Sequence, residues 1–174
     1  MTARVMDVTH TIADSPLGEL TLVGNDGALA GVYFAGQRNR PRPGRLGRRA
    51  PGAFAEPVRQ LGEYFAGERT AFELDLDLHG DAFDRQVWAL VTAIPYGQTR
   101  TYGQLARELG DPGLAQMVGV SNARNRLCIV IPCHRVVGAD GRLTGYAGGL
   151  ARKRALLELE ARAPAAPVPA GRLF

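Results

Sequence analysis

Thr101-Tyr102-Gly103-Gln104-Leu105-Ala106-Arg107-Glu108-Leu109-Gly110-Asp111-Pro112-Gly113 stops one helix and starts another. Thr101 suits the N-cap of a helix from Tyr102 to Leu109, with Leu105, Ala106 and Leu109 turned inward. Gly110 ends that helix, and Asp111 at the next N-cap with Pro112 behind it opens a second. The second helix is expected from about Gly113 to Asn122, with Leu114, Met117 and Val118 on its inner face. Two short helices across a tight, glycine-containing turn describe a helix-turn-helix. The same pairing occurs in proteins that bind no DNA, so a nucleic-acid partner needs separate support.

Upstream, Phe83, Val87, Leu90, Val91 and Ile94 make one face of a helix that Pro95 and Gly97 terminate. Gly80-Asp81 precedes it, and the domain boundary is placed there, with residues 1–80 as one unit and 81–162 as the next. The first unit opens with strands and tight turns. Val5 to Thr11 reads as a strand, Asn25-Asp26-Gly27 as a hairpin turn, and Leu29, Val32 and Phe34 as the return strand of a small antiparallel meander. Phe54, Val58, Leu61 and Phe65 recur at helical spacing. Phe72, Leu74, Leu76 and Leu78 instead alternate with Glu73, Asp75 and Asp77, as in a half-buried strand. Between meander and helix, Gln37 to Gly52 is rich in Arg, Pro and Gly. It reads as a mobile surface loop, better explained as a tolerated insertion than as an electrostatic contact.

Downstream, Arg126 to Val130 is expected as a short strand leading into Ile131-Pro132-Cys133-His134. Pro132 pushes Ile131 towards an extended conformation, so Cys133 falls at a turn leaving a buried strand. A free cysteine in an apolar run is usually a small buried hydrophobe; a nucleophile also needs a base and an orienting group. Asp140-Gly141 marks a turn, and Leu150 to Glu160 forms a last helix around Leu150, Leu156, Leu157 and Leu159. Residues 163–174 are rich in Ala and Pro and read as a disordered tail.

At 174 residues the chain can bury a real core in one domain or two small ones. No apolar run reaches the length of a membrane span, and Met1 to His10 lacks the basic-then-apolar order of a secretory signal. Cys128 and Cys133 are therefore read as thiols in a reducing cytoplasm. With only His134 beside them they fall short of a zinc site, and no metal or cofactor is expected. The net charge of +4 is unevenly spread, with 9 basic against 10 acidic residues in 1–80 and 11 against 7 in 81–162. Six of the nine N-terminal arginines lie between Arg38 and Arg49. The basic excess makes nucleic acid a candidate partner.

Ile131-Pro132-Cys133-His134-Arg135-Val136 resembles the active-site signature of the O6-alkylguanine-DNA alkyltransferases, the methylated-DNA–protein-cysteine methyltransferases. Phe83 to Trp88, Ile94-Pro95-Tyr96-Gly97, Thr101 to Ala106, Thr144 to Gly149 and Leu156 to Glu160 resemble the family's other blocks, in order. The likeness is close over 81–160 and one of layout over the N-terminal half. It implies an α+β fold. A ribonuclease-H-like domain with a small antiparallel sheet and helices comes first, and a winged-helix-like domain carrying the helix-turn-helix follows.

The resemblance also implies direct reversal of DNA damage by a monomer acting on double-stranded DNA that carries O6-alkylguanine. Cys133 takes the alkyl group once per molecule, because the thioether formed has no easily hydrolysed bond. His134 is then the base, acting through a water. Glu160 is its orienting partner, and Asn125 is the hinge tying the DNA-binding helix to the active-site segment. Tyr102 helps rotate the nucleotide out, Tyr146 donates to the guanine O6, and the Cys133 and Val136 carbonyls accept from the guanine amino group. Flipping is expected because a thiol cannot reach O6 inside a stacked duplex. The second helix would enter the minor groove, where Ala115, Gly119 and Ser121 allow close approach.

Three positions depart from the family pattern, one of them Cys128, unusual so close to the nucleophile. Gln116 stands where an arginine usually fills the gap left by the flipped base, and Arg126 where a proline commonly follows the hinge asparagine. Glutamine is neutral and cannot stack as a guanidinium, so Arg124 or Arg126 is expected to substitute in part by contacting phosphates. Two rival readings stand beside repair. One is a non-catalytic damage-binding or regulatory helix-turn-helix protein, against which the presence of Cys133 speaks. The other is a multi-turnover thiol hydrolase, which would need an oxyanion hole that the sequence does not display.

Overall fold

The computed structural model describes residues 4–162, and the expected tail 163–174 lies outside them. Strands β1 (Val8–Ala13), β2 (Leu20–Asn25) and β3 (Ala28–Phe34) form the antiparallel meander. Asp26 and Gly27 turn the β2–β3 hairpin at φ of 47° and 89°, the left-handed backbone that Asn-Asp-Gly tolerates. A fourth strand, β4 (Arg48–Arg49), pairs parallel with β1, so the sheet order is β3-β2-β1-β4.

The segment 37–52 is therefore tied to the sheet rather than lacking structure of its own. Leu46 packs with Val23 and Tyr33 on the sheet's outer face. The chain turns back beside it at Gly47, where φ is 71° and a Cβ would lie 2.0 Å from the Val8 carbonyl oxygen. A single apolar anchor among arginines leaves no periodic trace, which is why composition pointed the other way.

Helix α1 (Ala55–Phe65) buries Leu61 and Tyr64. Helix α2 (Ala82–Thr92) opens on a capping box between Asp81 and Asp84 and buries Val87, Trp88 and Val91. A second capping box, Thr101 with Gln104, starts α3 (Tyr102–Glu108). Asp111 caps a 3₁₀ turn at Pro112–Leu114 that leads into α4 (Ala115–Ala123), completing the expected helix-turn-helix. Val118 is buried, but Met117 is 51% exposed, contrary to expectation. Each helical residue advances by about 100°, which carries Met117 off the face shared by Val118 and Asn122. Likewise α5 (Leu150–Arg162) buries Leu156 yet leaves Leu150, in its first turn, 47% exposed. One apolar core joins Leu20 and Phe34 of the sheet to Trp88, Leu105, Val118 and Leu156 of the helices.

Neither of the two further expected strands forms. Phe72–Leu78 and Arg126–Val130 each make one bridge to the free edge of β3, Leu76 beside Leu29 and Leu127 beside Val32. The Val32 amide donates to the Arg126 carbonyl at 2.8 Å, and the Cys128 amide to the Val32 carbonyl at 3.3 Å. Pairing cannot continue, because Ile129 has a φ of 73°. A β-branched residue in that left-handed region costs about 1–3 kcal/mol, and such strain persists only where neighbours hold it. The bend turns the chain from the sheet edge into the Cys133 segment. Beyond it, β5 (Arg100–Thr101) and β6 (Val136–Val137) pair in parallel and fix the segment's exit beside the start of α3.

Candidate active site

Cys133 opens a 3₁₀ turn, Cys133–Arg135, and is 3% exposed. Asn125 holds the bend before it. Its Nδ2 donates to the Ile131 carbonyl at 2.9 Å, and its Oδ1 accepts from the Leu127 amide at 2.9 Å. Buried backbone groups that leave a strand need such partners, and one amide side chain serves both ends of this bend. Asn122, near the end of α4, donates from Nδ2 to the Cys133 carbonyl at 3.2 Å. The second helix of the helix-turn-helix is thus joined directly to the thiol segment.

His134 is fully buried, and its Nε2 lies 2.9 Å from Glu160 Oε1. Burial works against charge on Glu160, but the hydrogen bonds and charges of His134 and Arg135 outweigh it and hold the carboxyl at about 2. An ionised Glu160 can only accept, so Nε2 carries the hydrogen and Nδ1 keeps its lone pair. That Nδ1 is buried without a hydrogen-bond partner. Burial pushes the imidazole below its usual range despite Glu160, so the ring is neutral and free to take a proton. Glu160 also accepts from Tyr64 Oη at 3.0 Å and from Arg135 at 3.0 Å (Nε) and 2.7 Å (Nη2). Arg135 Nη1 in turn donates to the Ile94 carbonyl at 2.7 Å.

The Cys133 thiol is pushed below its ordinary value. The neighbouring Cys128 thiol contributes most, burial opposes, and Asn125 and the charge of Lys153 add to the lowering. Cys128 moves the other way, well up, through its contact with Cys133 and its burial. The two shifts favour ionisation at Cys133 over Cys128. Lys153 has no exposed surface and donates to the carbonyls of Val136 at 2.6 Å, Thr144 at 2.9 Å and Gly145 at 3.3 Å. Burial lowers its amine to about 8, which still leaves it mostly charged at neutral pH.

A cavity of about 270 Å³ reaches Cys133, walled by Tyr102, Gly119, Asn122 and Tyr146 and, from the N-terminal half, Arg38 and Asn39. The Tyr146 hydroxyl is buried and unpartnered, and burial holds its phenol well above the usual value, so it stays a donor. Gly148 permits this placement, since a Cβ there would meet the Phe34 ring at 2.6 Å and the Tyr146 ring at 2.9 Å. Tyr102 Oη lies 3.4 Å from the Thr144 carbonyl.

The expected residues thus fall into two groups. Cys133, Tyr102 and Tyr146 line one cavity, His134 and Glu160 are hydrogen-bonded to each other, and Asn125 holds the bend that leads to Cys133. The Val136 carbonyl is already engaged by Lys153. On α4, Gln116 is exposed, while Ala115 and Gly119 are half-buried. Ser121 faces inward instead of toward a groove. Its hydroxyl donates to Asp84 at 2.6 Å, and its carbonyl accepts from the Trp88 indole at 2.8 Å. Arg124 and Arg126 are exposed, Arg124 lying 3.6 Å from Asp84.

Sequence reasoning passed over Asn122, Arg135, Tyr64 and Lys153. A trace of Lys153 was available, because 153, 156 and 160 share one helical face, and two charged residues on a buried stripe demand partners. Among the described residues, no cluster of three or more His, Cys, Asp or Glu could hold a metal.

Comparisons with known proteins agree with this geometry. Residues 8–78 match the 6-O-methylguanine DNA methyltransferase ribonuclease-like domain, and residues 82–162 match the DNA-binding domain of the same family. A methylated-DNA–protein-cysteine methyltransferase of Mycolicibacterium paratuberculosis is 50% identical over 156 residues, 89% of this chain and 93% of that one. One from Methanosarcina acetivorans is 42% identical over 87% of this chain and 97% of its own length. The crystal structure of Mycobacterium tuberculosis OGT in complex with DNA superposes with a TM-score of 0.83 at 49% identity, covering 90% and 96% of the two chains. The chain belongs to the 6-O-methylguanine DNA methyltransferase family.

Proposed function

We propose that this protein repairs double-stranded DNA by moving the methyl group from O6 of guanine to Sγ of Cys133, once per molecule. The observation that carries the reading is a buried thiol next in the chain to a buried histidine whose Nε2 lies 2.9 Å from Glu160, at the foot of a cavity whose wall holds an unpartnered tyrosine hydroxyl. In the step, His134 takes the thiol proton at Nδ1 by way of a water, and the thiolate attacks the methyl carbon. The carbon–oxygen bond breaks with its electrons left on O6, and Tyr146 donates a hydrogen bond to that oxygen. The guanine regains a proton as the imidazolium loses one, so the exchange is neutral overall. Asn122 and Asn125 position the segment, and Lys153 favours the thiolate. Tyr102 and the exposed face of α4 would handle the nucleotide.

With the acceptor cysteine present and relatives bearing the methyltransferase name, the non-catalytic reading is not favoured. A reducing, cytoplasmic setting belongs to the same proposal, since both cysteines are free thiols. No helix among the described residues is long and apolar enough to cross a membrane.

Incubation with a duplex carrying one O6-methylguanine, followed by peptide mass spectrometry, tests the reading. One methyl group per protein on the Cys133 peptide is expected. Tight binding without modification would return the regulator, and repeated turnover would return the hydrolase. A second experiment addresses the departure on α4. Gln116→Arg should tighten binding to the damaged duplex by about tenfold at fixed salt, because a guanidinium can stack and fork where an amide cannot. Fluorescence anisotropy measures it, and unchanged affinity and rate would mean that Gln116 is not the limiting feature of flipping.

A further inference from the structure

Among the described residues, the cavity that ends at Cys133 has a single charged wall residue, Arg38. It comes from the N-terminal segment that composition marked as a tolerated insertion, and it lines the cavity together with Tyr102 and Gly119. Arg38 is exposed, and its side chain has neither a hydrogen bond nor an ion pair among the described residues.

The backbone under Arg38 is closely held. Gly36, at φ of 77°, turns the chain, and the Gln37 amide donates to the Phe34 carbonyl at 3.2 Å. Buried Gln37 then locks the turn from inside. Its Oε1 accepts from the Phe34 amide at 3.0 Å and from Cys128 Sγ at 3.6 Å, while its Nε2 donates to Asn39 Oδ1. Cys128, beside the bridge with β3, thereby links this turn to the acceptor segment. A cation on such a turn sits at the cavity mouth as part of the wall.

Asn39 and Ala123 also line a neighbouring groove of about 1130 Å³, whose sides carry Arg45, Arg85, Arg124 and Arg126. Among the described residues that line it, only Asp84 is acidic, and it lies 3.6 Å from Arg124. A polyanion lying in that groove, with one unit turned into the cavity, passes Asn39, the chain neighbour of Arg38. On α4, the exposed Gln116 is neutral.

We propose that Arg38 binds the phosphate of the nucleotide whose base occupies the acceptor cavity, which makes the N-terminal segment part of the substrate surface. This role rests on DNA being the substrate of the Cys133 site. The guanidinium fork matches a phosphate bidentately, and such contacts set register without reading sequence.

The test compares wild-type protein with Arg38→Gln on two substrates in single-turnover methyl transfer. One is a duplex carrying O6-methylguanine; the other is the nucleoside O6-methyl-2′-deoxyguanosine, which has no phosphate. Arg38→Gln is expected to slow the duplex reaction about tenfold, the size of one lost charge-assisted contact, and to leave the nucleoside rate unchanged. The salt dependence of duplex binding should become shallower by about one phosphate contact. Equal slowing on both substrates would make Arg38 a structural part of the wall and overturn the proposal, as would an unchanged duplex rate. Wild-type methylation of Cys133 is the control. Its failure would overturn the repair reading itself, whereas normal wild-type methylation with an unslowed Arg38→Gln variant would overturn only the phosphate contact.

Discussion

Cys133→Ser abolishes methyl transfer while leaving duplex binding in place. The substitution is close to isosteric, so the cavity and α4 keep their shape, and a buried hydroxyl in place of the thiol costs at most about 1–3 kcal/mol of stability. What disappears is ionisation. The site lowers the Cys133 thiol through Cys128, Asn125 and the charge of Lys153. An aliphatic hydroxyl starts so far above a thiol that the same help leaves it protonated. Intact-protein mass spectrometry after incubation with the methylated duplex, paired with an anisotropy titration, checks both halves. Methyl transfer surviving at the wild-type rate would move the acceptor role elsewhere, with Cys128 the first place to look.

Glu160→Ala is the substitution with the largest expected effect on stability, about 3–5 kcal/mol. Removing this carboxylate leaves Arg135 buried without its ion-pair partner and frees His134, Tyr64 and the Gly97 amide at once. Urea denaturation at neutral pH measures the loss; a change below about 1 kcal/mol would mean that the network adds little to stability. Transfer should slow as well, because His134 loses the contact that fixes its proton on Nε2.

The pH dependence of stability follows from the same groups. Glu160 is held at about 2 against an ordinary 4.5, so between those values the unfolded chain binds a proton that the folded chain does not. Its contribution, about 3 kcal/mol, is present in full above pH 4.5 and is lost as pH falls toward 2. His134, also lowered, acts in the same direction below its ordinary 6.5. Stability should therefore decline on acidification, first gently and then steeply below pH 4.5. Glu160→Gln should flatten the steep limb, and an unaltered acid profile in that variant would assign acid lability to other carboxylates.

Much of the helical half could be read in advance because its signals are local. Capping residues at Thr101 and Asp111 sit at the starts of their helical segments, and Gly110 ends the helix between them, independently of what packs against them. Strand readings fared worse where pairing partners were distant. Phe72–Leu78 alternates as a strand should, yet an edge strand needs a continuous neighbour, and β3 offers it one residue of contact. The buried ions were hidden for a related reason. Arg135 and Lys153 look like ordinary surface charges until Glu160 and three backbone carbonyls converge on them from other elements.

The sequence alone was enough for the helix-turn-helix, since its capping residues and its turn lie within one short run whose chemistry is written residue by residue. Tertiary structure was needed to learn that β3 supports the bend at Ile129, that Lys153 charges the thiol's surroundings, and that the arginine-rich segment returns to the cavity mouth. Those facts depend on hydrogen bonds and electrostatic contacts between residues far apart in the chain. Such interactions take their strength from burial and geometry, which arise only when the elements pack.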